Sequence, residues 1–128
     1  MQNVMIKSKI ALLTVLLAIY GCSQNPGTRT IVEDINPSGA YKLIQDNANN
    51  DEFMIIDVRT PAEYKSGHIM NAININYYSD DFRSHLNKLD RSKTYLIYCK
   101  IGGRSQSVMN MMEELKFKEV YNLSSGIS

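Results

Sequence analysis

An α/β fold, with a parallel sheet covered by helices on both faces, follows from three features of the sequence. Two short runs, Phe53 to Val58 and Tyr95 to Tyr98, are apolar without alternation, interrupted only by Asp57, as strands buried on both faces are. Segments of helical spacing with recognisable start signals lie between the strands, which is the order of a parallel sheet. At 128 residues, 44% hydrophobic and 21% charged, the chain has the size and composition of one small domain.

The elements come in order. Thr30 to Ile35 alternates weakly as a first strand. Asn36 followed by Pro37 is an N-cap with proline at the first helical position, and Ala40, Leu43 and Ile44 form the apolar stripe of the helix it opens. The polar stretch Asn47 to Asp51 ends that helix. Phe53 to Val58 is the second strand. Thr60, Pro61 and Glu63 then form a capping box in variant form, opening a short helix that Gly67 closes. Ala72 to Ile75 is a third short strand. Ser79-Asp80-Asp81-Phe82 opens a third helix, in which Phe82, Leu86 and Leu89 face inward and His85 faces solvent. Thr94 to Tyr98 is the fourth strand, Val108, Met111, Met112 and Leu115 mark the inner face of the fourth helix, and Val120 to Leu123 is the fifth strand. The Met stripe is core rather than a cofactor box.

The chemistry concentrates in Cys99-Lys100-Ile101-Gly102-Gly103-Arg104-Ser105, where a buried strand turns into a helix. Open α/β sheets bind their ligands at such turns. A thiol there faces backbone N–H groups and the positive end of a helix dipole, with Lys100 and Arg104 adding cationic charge, and all of these favour the thiolate. Cys99 is therefore read as a nucleophile. Composition narrows the alternatives: a formal charge of +1 with no basic stripe argues against nucleic acid, and two cysteines with two histidines, His68 and His85, offer no metal-ligand spacing. No metal or cofactor is implied.

The N-terminal stretch reads as a separate targeting segment. Lys7 and Lys9 precede an apolar run, Ile10 to Tyr20, of about eleven residues, which suits a signal peptide and falls short of the roughly 20 residues a spanning helix needs. The run closes on Ile19-Tyr20-Gly21-Cys22-Ser23, which resembles the lipobox of bacterial lipoproteins. The expectation is a signal peptide over residues 1–21, a lipidated Cys22 with a tether to residue 30, and a domain over 31–128. Removing Lys7 and Lys9 leaves 12 basic against 13 acidic residues. The protein would be exported and held by its lipid in the cell envelope, facing the periplasm or the cell surface.

Two motifs resemble the rhodanese-like, or sulfurtransferase, family. The first is Asp57-Val58-Arg59 with Glu63-Tyr64, Gly67-His68-Ile69 and Ala72-Ile73-Asn74-Ile75; the second is Cys99-x-x-Gly102-x-Arg104-Ser105. The resemblance runs from about Ile31 to Ile127. It implies a single domain with a five-stranded parallel sheet, and a reaction in which the Cys99 thiolate takes the outer sulfur of a donor such as thiosulfate and passes it, as a persulfide, to cyanide or a thiol. The loop residues Lys100, Ile101, Gly102, Gly103, Arg104 and Ser105 would cradle the anionic sulfur. Gly102 and Gly103 would supply backbone angles that other residues resist, and Lys100 and Arg104 would meet the donor and its leaving group. Asp57, Arg59 and Glu63 are supporting residues, the carboxylates orienting Arg59 or Arg104 rather than moving protons. His68 is a packing residue.

The partners expected are a small sulfur donor and an external thiol acceptor, since a lipidated Cys22 leaves no resolving cysteine. The protein is expected to be a monomer, with the membrane contacted only through the lipid. The sequence departs from the family pattern at Lys116 and Ser125, where glycine is usual, at Asn76, where proline is common, and after Ile127, where the family continues into a last helix; that C-terminal helix is expected to be missing. A cysteine-dependent phosphatase is the rival reading, but such enzymes place five residues between cysteine and arginine, and only four separate Cys99 from Arg104. A non-catalytic sulfur-carrier or interaction module is the third.

Overall fold

The computed structural model describes residues 29–128. Cys22 and the proposed signal peptide lie outside the described residues. Among the described residues five strands and four helices alternate: β1 (Ile31–Ile35), α1 (Pro37–Asp46), β2 (Phe53–Asp57), α2 (Pro61–Ser66), β3 (Ile73–Asn74), α3 (Phe82–Asn87), β4 (Thr94–Tyr98), α4 (Gly103–Glu114) and β5 (Glu119–Leu123). All strand pairs are parallel, in the order β1-β5-β4-β2-β3.

Strand β4 lies at the centre, and its residues Tyr95 to Tyr98 are wholly buried. Its side chains alternate between two cores. Tyr95, Ile97 and then Cys99 join Ile56, Val58, Phe82, Leu86, Val108 and Met112 on the face covered by α3 and α4. Leu96 and Tyr98 join Ala40, Ile55 and Leu123 on the face covered by α1 and α2. Each buried aliphatic side chain of this kind contributes about 2 kcal/mol. The two tyrosines bury their rings because each hydroxyl finds an acceptor: Tyr95 donates to the Asp90 carbonyl (2.6 Å) and Tyr98 to Asp57 Oδ2 (2.8 Å). Burial pushes the Tyr95 phenol up to about 12.

Strand order places the site. The connection after β2 leads outward to β3, whereas the connection after β4 leads back to β5, so the chain departs in opposite directions from two neighbouring strands. A crevice opens at the C-terminal ends of β2 and β4, the switch point where such sheets take ligands. Asp57 to Thr60 and Cys99 to Arg104 flank it.

Two elements differ from expectation. Strand β3 pairs through only Ile73 and Asn74 rather than Ala72 to Ile75. The chain enters it from Asn71, held at a left-handed φ of 65°, and leaves by a turn at Asn76, whose side chain accepts the Tyr78 N–H. In α4 the buried face is Ser105, Val108, Met109 and Met112, with Met111 and Leu115 only partly buried beside it. The face is set by the residue nearest the loop: Ser105 reaches back to Cys99, and positions three, four and seven further on follow it inward.

Lys116 ends α4 with φ 64°, a left-handed conformation that glycine adopts without steric cost. Lys116→Gly is expected to stabilise the domain by about 1 kcal/mol. A urea midpoint that fails to rise in equilibrium unfolding would show that the strain is relieved elsewhere.

Candidate active site

The loop from Cys99 to Gly102 closes on the cysteine itself. Gly102 N–H donates to Cys99 Sγ at 3.1 Å and Ser105 N–H lies 3.5 Å from it. The Ser105 hydroxyl sits 3.4 Å from Sγ and 3.2 Å from the Gly102 carbonyl oxygen; its single proton serves one at a time, and a thiolate is the stronger acceptor. The 12-residue helix α4 starts at Gly103, so its unpaired first-turn amides and its positive dipole end lie beside the sulfur.

These contacts compete with desolvation. Cys99 is fully buried, and burial is the largest influence on its thiol, pushing the pKa up. The Ser105 hydroxyl, then the N–H groups of Ser105, Gly102 and Ile101, outweigh it, and the net displacement is downward from the ordinary thiol value. The sequence pointed to backbone N–H groups, the helix dipole and the cations Lys100 and Arg104 together; the causes that lower the thiol pKa are hydrogen bonds.

Two glycines shape the loop, and they are not the expected pair. Gly102 has φ 97°, and a Cβ there would lie 2.0 Å from the Ser124 carbonyl oxygen. Gly126 has φ 66°, and a Cβ there would lie 2.1 Å from the Lys100 carbonyl oxygen. The turn after β5 thus backs the loop, and Ile127 N–H donates to the Cys99 carbonyl at 3.1 Å. Gly103, by contrast, has no positive φ, and a Cβ on it would meet nothing within 4 Å. The loop does not need a glycine at position 103 for its backbone angles.

The upstream residues separate into two pairs. Asp57 and Arg59, both buried, form one: Arg59 Nη2 lies 2.8 Å from Asp57 Oδ2 and also donates to the Gly67 carbonyl at 2.6 Å, while Asp57 Oδ1 accepts the Arg59 backbone N–H. The hydrogen bonds that Arg59 donates to the Asp57 carboxylate are the main reason the Arg59 pKa is raised. This pair fastens the end of β2 to the C-terminal end of α2, as a structural reading of Arg59 requires. Glu63 and Arg104 form the other, a bidentate bridge with Nη1 to Oε2 at 2.8 Å and Nη2 to Oε1 at 2.9 Å. Glu63 also accepts the Thr60 N–H and hydroxyl at 2.9 Å each, completing the capping box of α2. The Arg104 bond, followed by the Thr60 N–H, holds the Glu63 carboxyl well below the usual carboxylate range.

A cavity of about 510 Å³ opens over the loop, lined by Thr60, Glu63, Tyr78, Cys99, Lys100, Ile101, Gly103 and Arg104. Tyr78 and Ile101 stand at its mouth, exposed by 65% and 74%. The Arg104 guanidinium lies 5.6 Å from the Tyr78 ring centroid. Among the described residues Lys100 forms no ion pair. Tyr78, Thr60 and the turn from Ser124 to Ile127 were not among the expected site residues. Thr60 was visible only as a helix cap, and nothing local marks Tyr78 or the turn. His68 stacks on Tyr64 at 3.7 Å, away from the cavity lining. A second cavity, of about 480 Å³, lies at the opposite end of the sheet between Asn47, Phe53, Met70 and Ile73; its lining holds no thiol, histidine or cation.

Comparison with known proteins agrees with the fold. Residues 38–128 match the family model described as a rhodanese-like domain. The chain is 37% identical over 75 residues to the thiosulfate sulfurtransferase GlpE of Coxiella burnetii, covering 59% of this chain and 68% of that one. It is 32% identical over 101 residues to the chloroplastic rhodanese-like/PpiC domain-containing protein 12 of Arabidopsis thaliana, covering 77% of this chain and 34% of that protein. The crystal structure of a rhodanese-related protein from Thermoplasma volcanium superposes with a TM-score of 0.61 at 29% identity, over 78% of this chain and 87% of that one.

The hydrogen bonds on Sγ set its reactivity with pH. Because they lower the thiol pKa, alkylation of Cys99 by iodoacetamide should reach half its maximal rate below the pH of an ordinary thiol. Ser105→Ala keeps the backbone donor and removes the hydroxyl. It should move that midpoint upward and slow alkylation at pH 7 by about tenfold; an unmoved midpoint would assign the effect to the backbone alone.

Proposed function

As the chain belongs to the rhodanese-like domain family, we propose that it is a sulfurtransferase carrying sulfane sulfur as a persulfide on Cys99. The observation that carries this reading is the donor set on Cys99 Sγ: Gly102 N–H, Ser105 N–H and the Ser105 hydroxyl, at the switch point of the sheet.

In the reaction the Cys99 thiolate attacks the outer sulfur of the donor. A new S–S bond forms on Cys99, the donor's own S–S bond breaks, and its electron pair leaves with the sulfite when the donor is thiosulfate. The terminal persulfide sulfur is an anion, and the unpaired first-turn amides of α4 supply donors for it. An external thiolate or cyanide then attacks that outer sulfur and returns Cys99 to the thiolate. No step needs a proton from Asp57 or Glu63, in keeping with their commitment to Arg59 and Arg104. The loop from Cys99 to Arg104 is one residue shorter than that of a cysteine-dependent phosphatase, and Arg104 is already held bidentate by Glu63 rather than open toward a tetrahedral anion.

We further propose that the protein is exported and anchored in the cell envelope by lipid on Cys22, on the strength of the lipobox-like Ile19-Tyr20-Gly21-Cys22 after a basic and apolar leader.

Intact mass after incubation with thiosulfate should show one added sulfur on Cys99, reversed by cyanide and absent in Cys99→Ser. Equal addition in that variant, or Cys99-dependent hydrolysis of an aryl phosphate without sulfur loading, would overturn the sulfurtransferase. For the anchor, wild-type protein expressed in a Gram-negative host should partition into the detergent phase and Cys22→Ala into the aqueous phase. Identical partitioning of the two would refute lipidation.

A further inference from the structure

Arg104 is the arginine that lines the cavity over Cys99, yet both its terminal nitrogens face Glu63, at 2.8 and 2.9 Å. Glu63 is itself fixed: the Thr60 N–H and hydroxyl hold Oε2, and the carboxyl stays ionised far into the acid range. The bridge is largely shielded from solvent, with side-chain exposures of 17% and 28%. The formal side-chain charges lining the cavity, Lys100 and Arg104 against Glu63 and Cys99 once ionised, therefore cancel.

A formally neutral lining discriminates among anions by their cost of desolvation. That cost rises with the square of the charge, so a dianion loses about four times as much as a monoanion of similar size on leaving water. Electrostatic attraction to a net cationic lining would offset this, and Glu63 removes it. The exposed side chains of Ile101 and Tyr78 at the mouth offer apolar surface that an inorganic donor cannot use.

From this geometry we infer that Glu63, by occupying Arg104, sets the charge selectivity of the site, which takes monoanionic organic sulfur donors ahead of dianionic thiosulfate. The inference rests on the sulfurtransferase reading and adds a donor class to it. Organic thiosulfonates test it cleanly, because they share the reacting S–S bond of thiosulfate. The thiolate takes the outer sulfur, and the electron pair leaves on a sulfinate instead of on sulfite.

The experiment measures kcat/KM of the full chain for thiosulfate, methanethiosulfonate and benzenethiosulfonate with cyanide as acceptor. Each value is divided by that donor's rate constant with free cysteine. Wild type should prefer methanethiosulfonate to thiosulfate by about tenfold or more. Glu63→Gln retains a side chain able to cap α2 and removes one negative charge. It should narrow that ratio by about three- to tenfold, mainly through a lower KM for thiosulfate. Lys100→Gln, at an exposed loop position, should widen the ratio by a similar factor and does not depend on the fate of the α2 cap. Ile101→Ser should lower the benzenethiosulfonate to methanethiosulfonate ratio by about threefold.

A merely structural Glu63 would depress all donors alike and leave their ratios unmoved. That result, or a wild-type preference for thiosulfate, overturns the selectivity while leaving the sulfurtransferase intact. If Glu63→Gln does not fold, an unmoved ratio in Lys100→Gln overturns it equally. Sulfur loading from none of the donors overturns both.

Discussion

The structure turns on the hydrogen bonds that favour an anionic sulfur on Cys99 inside the protein. Cys99 has no exposed surface, and an isolated thiolate there would revert to the thiol. Donors from Gly102 and Ser105 reverse that preference, and they converge only because the chain makes a closed loop of four residues before α4 begins. Such a loop needs a left-handed residue without a Cβ at Gly102, because the Ser124 carbonyl occupies the space a side chain would take. The turn after β5, with Gly126 under the Lys100 carbonyl and Ile127 bonded to the Cys99 carbonyl, supports the loop from below. The buried tetrad Tyr95 to Tyr98 holds the point from which the loop springs.

Around this core, one acidic side chain serves two elements. Glu63 caps α2 and grips Arg104 of α4, so helices on opposite faces of the sheet are joined at the mouth of the crevice. The second pair, Asp57 with Arg59, is more deeply buried and is completed by the Tyr98 hydroxyl and the Gly67 carbonyl. Removing one partner of a buried pair leaves an uncompensated charge and costs several kcal/mol, so this pair holds the β2 end in place rather than reacting. Both carboxylates are bound to arginines, and sulfur transfer from thiolate to thiolate asks for no general base.

Much of this was legible from local signals. Strands β2 and β4 announced themselves as apolar runs without alternation, and α1 and α2 through Asn36-Pro37 and Thr60-Pro61. The expected contacts are present in the structure: Arg59 is paired with Asp57, Arg104 with Glu63, and His85 is exposed. Three things were misplaced. The inner face of α4 includes Met109, because the Ser105 contact with Cys99 sets the helix's rotation and a stripe of methionines does not. Strand β3 is shorter because Asn71 and Asn76 turn the chain at both ends. Gly103 does not share the conformational role of Gly102.

The sequence by itself determined the strand and helix that flank Cys99 and the family of the domain. Each of these rests on residues close together in the chain, where periodicity, caps and spacing act. Only the tertiary structure decided what surrounds the thiol. Ser124, Gly126 and Tyr78 reach the loop through the order of strands, and Arg104 meets Glu63 across 41 residues. Charge cancellation, apolar rim and backbone support are properties of distances between elements, and no local pattern encodes a distance between segments that meet only when the sheet has formed.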